Sequence, residues 1–471
     1  MFELRILKDD PEIKFDKQLP MFNWPYPFDT GQEFPASNTD VYEGDQRQVS
    51  RTAAYFHIPF CETICNFCPF SRERLASDSD LDEYVEAITR EIVLKRQYLG
   101  RYTVDAIAVG GGTPSLLTPK QIESFGVALW HHLDLSQLRE FTFEVEVKSV
   151  SRERLCAMRD IGVNRISFGA QTVSERFRHL FNLDATWKQV ASSAALINET
   201  FPYTNADVLY GMAGETIEEF ENDLLAVSGL NTTTVDVYPL NNLTAPIRMH
   251  RSLESAGLEL LSGGIRHRFR RHASTVLGDL GYSPISGYAY ARSGKREERW
   301  AGPVQQWPKF LYHDLYYGHD DDRIVGYGSS ALSRLPGYNL YNVSNRRAYV
   351  RQLLSNDVLP YTYSGGIRSA ERGIVTFPYR GELDKRKVLW NQVPEESLLA
   401  LQRATDADLV VDEGSRYVLT KQGWLFYANL MYYLMPSAAK ATLSAKIDER
   451  LQHGAVHEQT ELKARVKTTI G

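Results

Sequence analysis

Three of the chain's four cysteines share one short stretch: Cys61, Cys65 and Cys68, spaced C-x3-C-x2-C. Thiolates are soft ligands that select iron–sulfur clusters or zinc. Three of them can hold three irons of a [4Fe–4S] cluster, leaving the fourth iron open to a substrate or cofactor. A zinc site is the alternative, with His57 completing a Cys3His set. Phe67, directly before Cys68, either sets an aromatic ring beside the open iron or packs in the core. Cys156 stands alone in a helical segment and reads as a small buried apolar residue.

Two further stretches carry chemistry. Gly110-Gly111-Gly112-Thr113-Pro114 follows an apolar run, and its glycines let a ligand approach the backbone. No Gly-Lys-Ser/Thr follows, so a P-loop is not indicated, and there is no G-x-G-x-x-G. Residues 141–147 alternate: Phe141, Phe143, Val145 and Val147 against Thr142, Glu144 and Glu146. A period of two puts the two sets on opposite faces of a strand. Either the carboxylates face a hollow interior that binds something polar, or they line a solvated edge.

The elements that must position these residues form a strand–helix alternation beginning at residue 52. Strands are expected at 53–57, 104–109, 141–147, 164–168, 206–209 and 235–238. Leu81, Tyr84, Val85, Ile88 and Ile92 mark a helix that Gly100 ends, and Thr118-Pro119-Lys120-Gln121 opens another with a capping box. Further helices are expected at 152–161 and 215–227. The pattern predicts an α/β chain: parallel strands in a partial (β/α)6 barrel, with chemistry at the strand C-termini, and a smaller, mainly helical C-terminal domain. At 471 residues there is room for three regions. Residues 1–50, rich in Pro and aromatics such as Phe22, Trp24, Tyr26 and Phe28, read as an extension over the barrel. Residues 51–285 form the barrel and 286–471 a C-terminal substrate or lid domain containing a short sheet.

Composition sets the setting. The net charge is −6 and no run of Lys and Arg marks a nucleic-acid footprint. The longest apolar stretch, 424–436, is too short to span a bilayer and reads as a buried helix. Four cysteines, three on one loop, do not form a disulfide framework, and no signal peptide is visible, so a reducing cytoplasm is expected. Between 286 and 320 the chain is dense in rings: Tyr288, Tyr290, Trp300, Trp307, Phe310, Tyr312, Tyr316 and Tyr317. They suit a flat conjugated substrate or, equally, a domain interface. His313 among them is a proton acceptor or a structural histidine.

Cys61-x3-Cys65-x-Phe67-Cys68 together with Gly110-Gly111-Gly112-Thr113-Pro114 resembles the radical S-adenosylmethionine (SAM) superfamily. Residues 162–171 (GVNRISFGAQ), 207–211 (DVLYG), 322–333 (DRIVGYGSSALS) and 419–423 (LTKQG) are similar to the branch of oxygen-independent coproporphyrinogen dehydrogenase, the related haem chaperone and the class C radical SAM methyltransferases. The resemblance covers roughly residues 50–436. It implies that Cys61, Cys65 and Cys68 ligate a [4Fe–4S] cluster whose open iron chelates SAM. It further implies that Gly111, Gly112 and Thr113 contact the methionine part, that Glu144, Gln171 and Asp207 contact SAM, and that Tyr55 lies beside it. An electron donor such as flavodoxin or ferredoxin would reduce the cluster, and SAM would yield methionine and a 5′-deoxyadenosyl radical.

Departures choose within the branch. Phe70 replaces the further cysteine of the coproporphyrinogen enzymes. The chaperone's His-Asn-x-x-Tyr-Trp motif reads His313-Asp314-Leu315-Tyr316-Tyr317-Gly318. Leu183 stands at an arginine position and Ala213 at a proline position. What remains suggests a class C enzyme that uses two SAM molecules to methylate or cyclopropanate an sp2 carbon of an aromatic or unsaturated small molecule. A porphyrin-acting enzyme or a non-enzymatic haem chaperone is the alternative.

Overall fold

Apolar residues on one face of each central strand and small or polar ones on the other determine how this chain folds. The computed structural model describes residues 26–27, 42, 49–240, 247–292, 310–335, 338–364 and 369–445. Six strands run parallel in chain order: β1 (Arg51–Ile58), β2 (Ala106–Gly111), β3 (Glu140–Val145), β4 (Arg165–Gln171), β5 (Tyr203–Tyr210) and β6 (Thr234–Pro239). Their outward side chains are apolar. Ala54, Phe56 and Ile58 on β1, Ile107 and Val109 on β2, Phe141, Phe143 and Val145 on β3, and Val235 and Val237 on β6 join one buried cluster with the covering helices. The alternation read in residues 141–145 is therefore the rule for the whole sheet.

The helices are α1 (Asp78–Leu99), α2 (Pro119–His132), α3 (Arg152–Asp160), α4 (Trp187–Thr200) and α5 (Ile217–Gly229). Capping boxes open α2 (Thr118 with Gln121), α4 (Thr186 with Gln189) and α5 (Thr216 with Glu219). Each satisfies two of the orphan donors of a first turn. Gly100 closes α1 at φ 66°. The expected strands and helices are present with shifted ends; α4 was not among those expected. Cys156, expected to be buried, is half-buried on α3.

The sheet does not stop at β6. Strand β7 (Asp322–Tyr327) pairs parallel with the outer edge of β1, and Leu332–Leu335, Tyr338–Asn342 and Tyr361–Ser364 continue antiparallel. Beyond β6 lie Ala289–Arg292 and Tyr282–Pro284, giving twelve strands in all among the described residues. A mainly helical region follows: Arg372–Arg380, Glu395–Asp406 and Tyr427–Tyr433, with a three-stranded antiparallel sheet. It has its own core, which takes in Tyr26 and Tyr288. The apolar stretch 424–436 contributes Tyr427–Tyr433, every residue of it buried. No helix among the described residues is long and apolar enough to cross a membrane. Phe22, Trp24, Phe28, Trp300 and Trp307 lie outside the described residues.

A short helix, Leu311–Tyr316, rests against the inward face of the sheet. Leu315 packs on Ala53, Ala106 and Ile324, and the small alanines make the room. The Glu140 carboxylate accepts from the backbone N–H of Leu311 at 3.0 Å and of Tyr312 at 3.3 Å.

Behind β1 and β7 a fully buried ion pair, Lys95 with Glu91 at 2.7 Å, ties α1 to the chain after β7. Glu91 also accepts from Gly328 N (2.8 Å), Asn342 Nδ2 (2.7 Å) and Tyr349 Oη (2.7 Å), and Lys95 donates to the Gly326 carbonyl. Removing one partner of such a pair strands the other charge. Glu91→Ala is therefore expected to lower stability by about 3–5 kcal/mol in urea melts followed by circular dichroism. The double replacement Glu91→Leu/Lys95→Met is expected to cost less than that single change.

Candidate functional site

Parallel strands deliver all their C-terminal loops to one edge, and the cysteine loop follows β1 there. A two-residue parallel pairing of Phe60–Cys61 with Glu73–Arg74 closes it. Asn66 holds it to the next wall, its N–H donating to Phe181 O (2.9 Å) and its side chain to Leu180 O (2.9 Å). Asn182 Nδ2 donates to Ile64 O at 3.0 Å. Cys61, Cys65 and Cys68 are half-buried and line one cavity of about 220 Å³. Burial pushes all three thiols up, Cys65 to about 12. Such thiols ionise when a metal takes the place of the proton.

The donor set fits a cluster better than a single ion. Among the described residues no three His, Cys, Asp or Glu side chains converge closely enough to hold one metal ion. His57, the ligand a zinc site would need, is engaged at both nitrogens. Nε2 faces the Ser71 carbonyl at 2.9 Å, so it carries the hydrogen, and Nδ1 accepts from Tyr55 Oη at 3.1 Å. Burial lowers the His57 imidazole to about 4, so it stays neutral.

Phe67, Gly111, Gly112, Thr113, Glu144, Gln171 and Asp207 line the same cavity. Phe67 packs edge-to-face on Phe181, centroids 5.5 Å apart. The glycines serve packing as well as access. Gly111 has φ 112°, and a Cβ there would lie 2.5 Å from the His57 ring; at Gly110 a Cβ would lie 2.7 Å from the Glu144 carboxyl. Gln171 ends β4 at φ 65°, where the register with β5 slips. Strain of this kind concentrates at ligand sites. Glu144 turns into the cavity from β3, its Oε2 accepting from Gly111 N at 3.3 Å, and burial pushes its carboxyl up to about 7. Asp207 on β5 stands in register with Asp236 on β6. Burial raises both carboxyls, and at Asp207 the neighbouring Asp236 adds to the rise. Glu146 lines the cavity too, beyond the end of β3, where it caps the turn Val147–Ser149.

Tyr55 and His313 do not line this cavity. Tyr55 stacks on Tyr312, centroids 5.4 Å apart. His313 lies deeper, where Tyr288 Oη and Tyr379 Oη each approach its Nδ1 at 3.0 Å. Burial lowers its imidazole to about 3. Tyr288 and Tyr317 are buried and pack the seam between the sheet and the helical region, while Tyr290 is buried in the main core. Sequence reasoning missed Asp236, Arg165, Arg178 and Tyr379. Asp236 carried a signal, since Thr234, Asp236 and Tyr238 alternate with Val235 and Val237 as residues 142–146 do.

Residues 55–227 match the family described as the Radical SAM superfamily. The heme chaperone HemW of Lactococcus lactis is 27% identical over 300 residues, 64% of this chain and 74% of that protein. The oxygen-independent coproporphyrinogen III oxidase of Escherichia coli (strain K12) is 26% identical over 305 residues, 64% of this chain and 65% of that one. The solved structure of coproporphyrinogen III oxidase (HemN) from E. coli aligns with a TM-score of 0.68 and 21% identity, covering 83% of this chain and 91% of that one. Domains of this superfamily use a [4Fe–4S] cluster and SAM, and their chemistry requires a reductant.

These matches overturn the expectation of a class C methyltransferase or cyclopropane-forming enzyme. That expectation rested on departures from the porphyrin enzymes and the chaperone. Phe70 lines the cavity with an apolar ring that is 60% exposed, and the half-buried His313 packs against Tyr288 and Tyr379 outside it, so neither departure removes one of the cavity's polar side chains.

Glu144 makes the site pH-dependent. Because its carboxyl is raised toward neutral pH, acidification removes a negative charge that faces the cavity. SAM affinity of the cluster-loaded protein, measured by equilibrium dialysis, is expected to weaken by about tenfold per pH unit below 7. Glu144→Gln is expected to flatten that profile and to bind SAM about 10- to 100-fold more weakly at pH 8.

Proposed function

We propose that this chain, which carries a radical SAM domain, is an enzyme that modifies a tetrapyrrole in the cytoplasm, with an electron carrier of the flavodoxin or ferredoxin kind as its reductant. The observation that carries the chemistry is the convergence of Cys61, Cys65 and Cys68 with Glu144, Gln171 and Asp207 around one cavity at the C-terminal strand ends. The names of the relatives supply the substrate class.

In this reading Cys61, Cys65 and Cys68 hold the cluster. When bound, cluster and SAM together supply a 5′-deoxyadenosyl radical. Backbone at Gly111, Gly112 and Thr113 and the carboxylates of Glu144 and Asp207 orient the cofactor's polar ends. Phe67 and Leu183 give the cavity apolar wall and exclude water. Tyr55 positions His57, which in turn fits against Gly111. Residues 286–471 form the substrate side.

Turnover is favoured over haem carriage by the cavity itself, where the three thiols and the polar side chains that would orient SAM converge at the strand ends. Anaerobically reconstituted protein with SAM and dithionite is expected to release 5′-deoxyadenosine in amounts that rise with added coproporphyrinogen III or haem. Cys65→Ala is expected to abolish that release. A stoichiometric Soret band on adding haem, with no release of 5′-deoxyadenosine above background, would establish the chaperone instead.

A further inference from the structure

The cavity beside the cysteine loop presents three cations, and they differ in what neutralises them. Lys148 is paired with Asp184 at 2.5 Å and lies 3.8 Å from Glu62. Arg72 is half-exposed, its Nη1 donating to the Phe70 carbonyl at 2.6 Å. Arg178, on the short helix Glu175–Leu180, is only 3% exposed. Its guanidinium donates to backbone carbonyls alone: Ala185 O from Nε at 2.7 Å and also from Nη2, and Ala170 O and Thr172 O from Nη1 at 3.1 and 2.8 Å. No carboxylate among the described residues reaches ion-pairing distance of it. Glu175, Asp223 and Asp184 act on its charge only from a distance, and a buried cation with no anion at contact distance is unfavourable unless a ligand supplies one.

The helix bearing Arg178 is the wall on which the cysteine loop rests, through Asn66 and Asn182. Arg178 therefore belongs to the lining of the cavity that Cys65, Leu183 and Ala185 also line, near enough to Cys65 to feel its charge. SAM has one anionic group, its carboxylate; its sulfonium and ammonium are cations. We propose that Arg178 is the residue that recognises the SAM carboxylate in this chain. This assignment rests on the cavity being the SAM site. It accounts for how Leu183 can be apolar: the charge arrives from five residues earlier, clamped in place by the turn that Leu183 belongs to.

The test compares SAM with decarboxylated SAM, which lacks only the carboxylate, by equilibrium dialysis against cluster-loaded protein. Iron content and thermal midpoint report whether each variant is intact. Wild type is expected to prefer SAM. Arg178→Gln is expected to bind SAM about 10- to 100-fold more weakly and decarboxylated SAM as before, the residual preference reflecting chelation at the open iron. Arg178→Gln/Leu183→Arg is expected to regain part of the loss. If Arg178→Gln does not hold its cluster, Arg178→Lys decides: retained preference supports the assignment and lost preference overturns it. Equal weakening of both ligands, or a preference that collapses instead in Lys148→Gln or Arg72→Gln, would also overturn it. Failure of cluster-loaded wild type to bind SAM at all would overturn the cofactor reading itself.

Discussion

Parallel pairing is the constraint from which the site follows. Because β1 to β6 and β7 all run the same way, every β-to-α loop emerges at one edge of the sheet. Chemistry written at distant points of the sequence, the thiols after β1, the glycines after β2, the glutamate of β3 and the aspartate of β5, is gathered there without any of those residues touching in sequence. Parallel strands are stable only when both faces are covered. Helices α1 to α5 cover the outer face. The inner face has no such layer, and what fills it decides what the protein can do.

The filling is graded. At the floor, Ala53, Ala106 and Leu315 pack as an ordinary core, closed by the helix that Glu140 caps. Midway, the interior turns polar: Arg165, Asn205 and Asp236 are buried, with Asp207 half-buried beside Asn205. Asn205 donates to Asp207 at 2.7 Å, while Arg165 Nε has no hydrogen-bond partner among the described residues. Above them Glu144 and Gln171 open into the cavity. A folded chain tolerates buried ionisable groups when a ligand or a neighbour offsets their desolvation. The gradient therefore reads as an apolar plug carrying a polar layer set for a charged ligand, with the thiol loop as its rim.

Much of this was legible in the sequence, because its carriers are local. The cysteine spacing, the triple glycine and the period-two pattern of residues 141–145 each act over a few residues, so each survives reading one strand at a time. The sequence-level capping signal at Thr118 was realised for the same reason. What could not be read was pairing at long range. Residues 322–327 lie beside β1 although more than 260 positions separate them, and nothing in either strand alone names the other. Likewise, the aromatic density of residues 286–320 signals burial as readily as binding. Only the folded chain shows Tyr288, His313 and Tyr379 turned on one another.

The same distinction explains why motif departures misled the choice of activity. A substitution is informative about chemistry only if it adds or removes a group that the reaction uses. Phe70 lines the cavity but brings no polar group to it, and His313 packs outside it against Tyr288 and Tyr379, so both can change while the cavity keeps its charge pattern. Leu183 does line the cavity, and there the departure has a counterpart, since Arg178 approaches the same wall from the preceding helix. Electrostatic need is a property of the volume, not of a sequence position. A cavity that must hold one anionic and two cationic groups can recruit its charges from any element whose backbone supports them. Four backbone-directed hydrogen bonds give Arg178 that support.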